Sequence, residues 1–294
     1  MNYACQLFTL MKTKRKSLLL LLYFIIIIAS VLLSYKLEYG SIPLTELNYM
    51  KECDPEMGLD FFYLLQDSGL ILFIFLSATT FLPNLITADF LIYRINKFDN
   101  FILTRTSNIK YNKSCIKVNF ILTFILILLT QIIILITIQL FCFDLSFEIN
   151  QVYLDATRQT DIFSNSLIIS LITYIALSCI GYGVFSNLIF SLQAFVNNIY
   201  LYRTLGLCIT LIMYIGSAVI TKLIVDVGGG FLIATLTYFF NITNLITPGI
   251  IKSPVLNNTP ILFYIGTMTL YYMLSKIFFD IKEKKNYVSC NQLL

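Results

Sequence analysis

Tyr174, Ser178, Tyr182 and Ser186 recur every fourth residue, and Ser77, Thr80, Asn84 and Thr87 recur every third or fourth. Each spacing puts its residues on one face of an α-helix. Similar rows occur at Thr123, Thr130 and Thr137, at Thr210, Tyr214, Ser217 and Thr221, and at Tyr264, Thr267, Tyr271 and Ser275. All are uncharged groups that donate and accept hydrogen bonds. Without a base beside them they are not activated nucleophiles. Two roles fit. The rows join helices, because small and hydroxylic residues let backbones approach and bond. Alternatively, those at 77–87 and 174–186 line a path for an amphipathic or lipid-like cargo.

Other chemistry is scarce. The chain has no histidine and no tryptophan. That removes histidine bases, histidine metal sites and Ser-His-Asp triads. The seven cysteines form no CxxC or other metal-ligand spacing. There is no GxxxxGK[ST] phosphate loop, and Gly228, Gly229 and Gly230 read as a flexible turn. Neither a catalytic set nor a cofactor or metal site is expected on this chain.

The elements that hold the rows are apolar. Of 294 residues, 58% are hydrophobic and 12% charged, and mean hydropathy is +0.82. Six apolar runs, at 17–35, 69–89, 118–141, 166–190, 205–225 and 261–279, are each long enough to cross a hydrocarbon core of about 30 Å at about 1.5 Å per residue. The expected fold is an all-α membrane protein with six spans in a single domain, 1–294. Residues 36–66 read as a polar, acidic outer loop. Asp67, Asp89, Lys222 and Asp226 fall at span ends. The lack of a carboxylate near a span centre argues against a proton- or sodium-driven carrier.

Charge sets the orientation. Lys12, Lys14, Arg15, Lys16, Arg94, Lys97, Arg105, Lys110, Lys113, Lys117, Arg203, Lys276, Lys282, Lys284 and Lys285 lie on one side. Only Lys36, Lys51, Arg158, Lys222 and Lys252 lie on the other, fifteen against five of the 20 basic residues. The positive-inside rule puts both termini in the cytoplasm. Membrane insertion explains the basic clusters, so no nucleic acid is expected as a partner.

Two shorter elements complete the pattern. Tyr3, Leu7, Leu10 and Met11 share a helical face before the first basic cluster and predict an amphipathic helix in the inner interface, held by membrane lipid. Residues 231–240 are apolar but only half a span long, between the glycines and Pro248. They predict a re-entrant outer element before the last span.

In the inner loop 90–117, Phe98, Phe101, Ile102 and Arg105 fall at i, i+3, i+4 and i+7. This predicts a short helix with an apolar face that packs under its own bundle or meets a partner surface. The run 101–114, FILTRTSNIKYNKS, resembles the loop after the second span in ABC-2 type exporter permeases, where a short helix, a Thr/Ser-Arg element and a basic-aromatic stretch lead into the third span. The six spans, the inner termini, the interfacial N-terminal helix and the outer re-entrant element are similar to that family as well. The small size resembles permeases of Gram-positive bacteria that export antimicrobial peptides or confer immunity to them.

The resemblance implies a multi-pass protein of the bacterial cytoplasmic membrane that moves an amphipathic peptide or lipid-like cargo outward. It implies a soluble ABC ATPase subunit, carrying ATP and Mg, that docks on Phe98, Phe101, Ile102, Leu103, Thr104, Arg105 and Thr106. It implies a second permease copy or paralogue facing this one. An autonomous carrier or channel, or a non-transporting immunity or sensor protein, are the alternatives the residues leave open.

Overall fold

The computed structural model describes residues 14–53, 57–67, 88–96, 108–147, 163, 166–196, 198–226, 239–249 and 260–291. Among these every regular element is helical: α1 Lys14–Tyr39, α2 Leu44–Cys53, α3 Met57–Asp67, α4 Ala88–Ile95, α5 Asn108–Phe141, α6 Leu167–Ser191, α7 Ile199–Asp226, α8 Thr243–Ile246 and α9 Pro260–Asn291. Prolines mark the boundaries, since proline cannot donate to the helical ladder. Pro43 precedes α2, Pro55 falls between α2 and α3, and Pro248 follows α8. Pro260 opens α9, in the first turn where its missing N–H costs nothing.

Among the described residues, four helices are long and apolar enough to cross a membrane: Lys14–Tyr39, Lys110–Phe141, Leu167–Ser191 and Ile261–Ile281. This is a membrane protein by helix length and composition. The helix expected at 205–225 is present within α7, which begins six residues earlier and runs for 28 residues. Of the run 69–89, only residues 88 and 89 are described, in α4.

The core is built around α6. It packs most extensively on α5, then on α9 and α8, while α1 and α3 cover other parts of α5. Buried Tyr174, Ser178, Cys179, Tyr182, Phe185, Ser186 and Ile189 follow the three- and four-residue steps of one helix flank. The outer faces stay apolar and exposed, as at Leu18, Leu21 and Ile25 of α1 and Ile212, Ile215 and Leu223 of α7. Lipid or another chain suits such faces; water does not.

The stretch 36–66, expected as a polar, acidic outer loop, is helical over much of its described length: after the end of α1 it holds α2 and, running on to Asp67, α3. Leu59, Phe61, Phe62, Tyr63 and Leu65 of α3 are fully buried. Gly58 lies against the carbonyl of Asp144, just past the end of α5, and the Gln66 amide donates to Gln131 Oε1 at 3.2 Å. Gln131 is ten residues, roughly 15 Å, before the Phe141 end of α5. Helix α3 therefore descends beside α5 and carries the backbone of Asp67 with it. The apolar runs place Asp67 at a span end; its backbone here follows Gln66, which bonds to Gln131. Asp60, Gln66 and Asp67 interrupt the apolar pattern, which hides the helix in the sequence. A helix with neighbours needs only part of its circumference apolar.

A second departure from continuous spans is the segment 239–249. Asn241 Oδ1 accepts from the Thr243 N–H at 3.0 Å and from Thr243 Oγ1 at 2.8 Å, an Asx turn that starts the single turn of α8. Gly249, at φ 81°, closes the segment in the left-handed region that favours glycine. Residues 241–248 are all buried. The Leu245 carbonyl lies against Gly181, 14 residues or roughly 21 Å along α6. A Cβ at Gly181 would collide with that carbonyl, so only glycine allows the approach.

Gly181→Ala should push 239–249 off α6 and destabilise the fold by about 1–3 kcal/mol. Gly216→Ala, with nothing near the added carbon, should be neutral or gain up to about 1 kcal/mol. Unfolding midpoints of the two purified variants in one detergent check the contrast.

Candidate functional site

The hydroxyl rows are arranged by their hydrogen bonds. In α6, Ser178 Oγ donates to the Ile246 carbonyl at 2.7 Å and Ser186 Oγ donates to Asn119 Oδ1 at 3.0 Å. Tyr174 sits edge-on to Phe62 and Tyr63, with ring centroids 5.9 and 5.4 Å away. Tyr182 is buried on the same flank. All four are enclosed by neighbouring helices of this one chain. The row at Ser77, Thr80, Asn84 and Thr87 lies outside the described residues. So do the interfacial positions Tyr3, Leu7, Leu10 and Met11, and the coupling positions Phe98, Phe101, Ile102, Leu103, Thr104, Arg105 and Thr106.

Several members of the other rows are bonded too, while among the described residues the buried hydroxyls of Thr123 and Thr267 find no partner. Thr130 Oγ1 donates to the Leu126 carbonyl of its own helix at 2.8 Å, leaving its oxygen to accept from the Tyr23 hydroxyl at 3.0 Å. That bond ties α1 to α5. Thr137 and Thr210 donate to carbonyls four residues back. From α9, Tyr264 donates to the Leu177 carbonyl at 2.8 Å and Tyr271 to the Phe240 carbonyl at 3.0 Å.

Toward the lysine-rich end of the bundle, three helices meet in an amide network. Asn119 Nδ2 donates to Asn187 Oδ1 at 2.8 Å, and Ser275 Oγ donates to the Asn187 carbonyl at 3.3 Å. With Ser186 on Asn119 Oδ1, the amide oxygen and nitrogen of Asn119 are both used, which fixes its orientation. The network joins α5, α6 and α9 at one level.

Beyond it the helices part into a cleft of about 450 Å³. Its lining includes Phe120, Val184 and Asn187 next to the network, then Tyr272, Phe279 and the lysines Lys113, Lys117 and Lys276. Lys113 and Lys117 are four residues apart and share a face of α5. Asp280 is the one carboxylate in the lining, so three positive charges face one negative. The arrangement offers an apolar wall and a cationic rim. Ammonium groups donate hydrogen bonds and accept none, so the complement of such a rim is an anion.

Among the described residues no three of Cys, Asp or Glu come together as a metal site. Residue spacing does not single out Asn119, Gln66 or the cleft lysines as a site, although it carries signals of them. An asparagine inside an apolar run is costly unless it is bonded, and Lys113 and Lys117 fall on one face. Their partners on α6 and α9 are roughly 70 and 160 residues away in sequence, beyond any local pattern. The chain matches no family model, no curated protein and no solved structure.

Asn119→Leu strands the Ser186 hydroxyl and half of the Asn187 amide. A double-mutant cycle of Asn119→Leu with Asn187→Leu should return a coupling of about 0.6–1.7 kcal/mol, the range of such bonds between membrane helices. Unfolding of the four proteins in mixed micelles reads it. Additive single effects would mean that the two amides do not stabilise one another.

Proposed function

We propose that this chain is the transmembrane subunit of an ATP-driven ABC-2 type exporter that moves an amphipathic peptide or lipid-like cargo out of the bacterial cytoplasm. The termini and the lysine-rich end face the cytoplasm. The segment 239–249 belongs to a re-entrant outer element, and six spans make up the single domain. ATP and Mg reside on a separate ATPase subunit.

The observation that carries this reading is the reach of α5. It begins at Asn108, ten residues or roughly 15 Å before the apolar run at 118–141, and continues unbroken to Phe141. The proposed coupling segment, Phe98 to Thr106, is thus two residues from a rigid lever of 34 residues. That lever makes the largest contact in the bundle, with α6, and also touches α1 and α3. An ATPase that pulled on 98–106 would tilt α5 as a rigid body and strain every polar bond along it. The apolar faces of α1 and α7 leave room for a second permease copy or paralogue. The row at 174–186, buried in this state, would then face the path only in a rearranged one.

A second reading, an autonomous carrier, gains from one observation. Helix α3 brings Asp67 to the level of Gln131, and intramembrane carboxylates serve proton- or ion-driven transport. The two readings separate on energy source. A carrier transports in vesicles from this chain alone and stops with Asp67→Asn; the exporter subunit needs its ATPase.

Phe101→Asp with Ile102→Asp should abolish co-purification of a soluble ATPase from native membranes while the chain still inserts. Undiminished ATPase recovery with that variant, or recovery of the unaltered chain with no ATPase in several mild detergents, would remove the coupling assignment.

A further inference from the structure

We propose that the cleft between α5, α6 and α9 holds the headgroup of one anionic glycerophospholipid. This site rests on the cytoplasmic orientation of the lysine-rich end and is independent of the exporter reading. Lys113, Lys117 and Lys276 converge on the cleft against the single carboxylate of Asp280. All three lysines are exposed at its rim. The acceptors of Asn187 are already engaged: its Oδ1 is taken by Asn119 and its carbonyl by Ser275. The charge the cleft presents comes from ammonium donors. A phosphodiester, which only accepts, is the complementary group.

The walls select the rest of the ligand. Ile116, Phe120, Val184 and Phe279 extend apolar surface from the rim toward the amide network. Free phosphate would leave that surface unused. An amphiphile with a charged head and a hydrocarbon tail uses both. The cleft volume of about 450 Å³ falls in the range of roughly 300–1,000 Å³ typical of small-molecule sites. It suits a headgroup and the start of a chain, with the remaining hydrocarbon in the bilayer.

Position agrees with chemistry. Lys117 immediately precedes the apolar run of α5, and Lys276 lies in the last turn of the run at 261–279. Lysine stems can follow the apolar wall and hold their ammonium groups at headgroup level. Basic pockets between helices on the cytoplasmic side are suited to anionic headgroups. A lipid seated here would clamp α5 to α9 below the Asn119–Asn187 bond.

The test is native mass spectrometry of the full purified chain in detergent, with dioleoylphosphatidylglycerol, dioleoylphosphatidylcholine or inorganic phosphate added. We expect one phosphatidylglycerol to be retained and phosphatidylcholine not. The triple variant K113Q/K117Q/K276Q should bind phosphatidylglycerol about 100-fold more weakly, on about a fivefold loss per lysine near a surface. K113R/K117R/K276R should bind as the unaltered chain does, and K36Q/K222Q should have no effect. Equal retention by the triple glutamine variant, or equal retention of phosphatidylcholine, would overturn the proposal. Displacement of the lipid by millimolar phosphate would assign the site to free phosphate instead. A photoreactive phosphatidylglycerol on the unaltered protein gives a check that needs no variant to fold. Crosslinks should fall in 113–120 and 272–280, and crosslinks confined to other segments would refute the site.

Discussion

A backbone polar group in an apolar environment must find a partner, and this requirement governs the bundle. Continuous helices meet it internally. The segment 239–249 does so only in part, because it breaks its ladder at Asn241 and again at Pro248. The carbonyls of Asn241, Ile242 and Thr243 accept from within the segment, and those of Phe240 and Ile246 are met from outside. Tyr271 of α9 supplies Phe240, and Ser178 of α6 supplies Ile246. Asn241 supplies its own turn. The break is held at the middle of α6 because Gly181 permits the Leu245 carbonyl to approach.

The same requirement explains why α6 is the centre. It bears small and hydroxylic residues on the flank where its neighbours arrive. Tyr174 receives α3, Ser178 receives α8, and Ser186 with Asn187 receives α5 and α9. The hydrogen-bonded contacts pair polar groups that would otherwise lie unsatisfied in hydrocarbon. Single bonds of this kind contribute only about 0.6 kcal/mol on average, up to about 1.7. Their weight is in specificity: a register shift of one residue on α6 would leave several groups unpaired together. At the end of the bundle away from the cleft, the ring cluster of Tyr35, Tyr39, Phe61 and Phe143, with centroids such as Tyr39–Phe143 at 4.9 Å, ties α1 to α3.

Lysines are kept out of this polar flank, and Lys113, Lys117 and Lys276 line the cleft below the amide network. The long α5 connects the cleft to the polar contacts higher in the bundle, so a partner that moved its start would act on all of them.

The sequence alone determined the features that local periodicity and composition control. The long apolar helices α1, α5, α6 and α9 were legible because hydrocarbon-length apolar runs have few other uses. The hydroxyl rows were legible as helical faces, since a four-residue step needs no knowledge of neighbours. Tertiary structure decided which faces meet. It turned 57–67 from loop into the buried helix α3, because Phe62 and Tyr63 find Tyr174 of α6 and Gln66 finds Gln131. It seated 239–249 against Gly181. It also joined Asn119 to Asn187 and brought Lys113 and Lys117 to Lys276. Those pairings are set by packing between segments far apart in the chain. A sequence states which groups need partners; only the folded bundle fixes who the partners are, because distance in space is not encoded in distance along the chain.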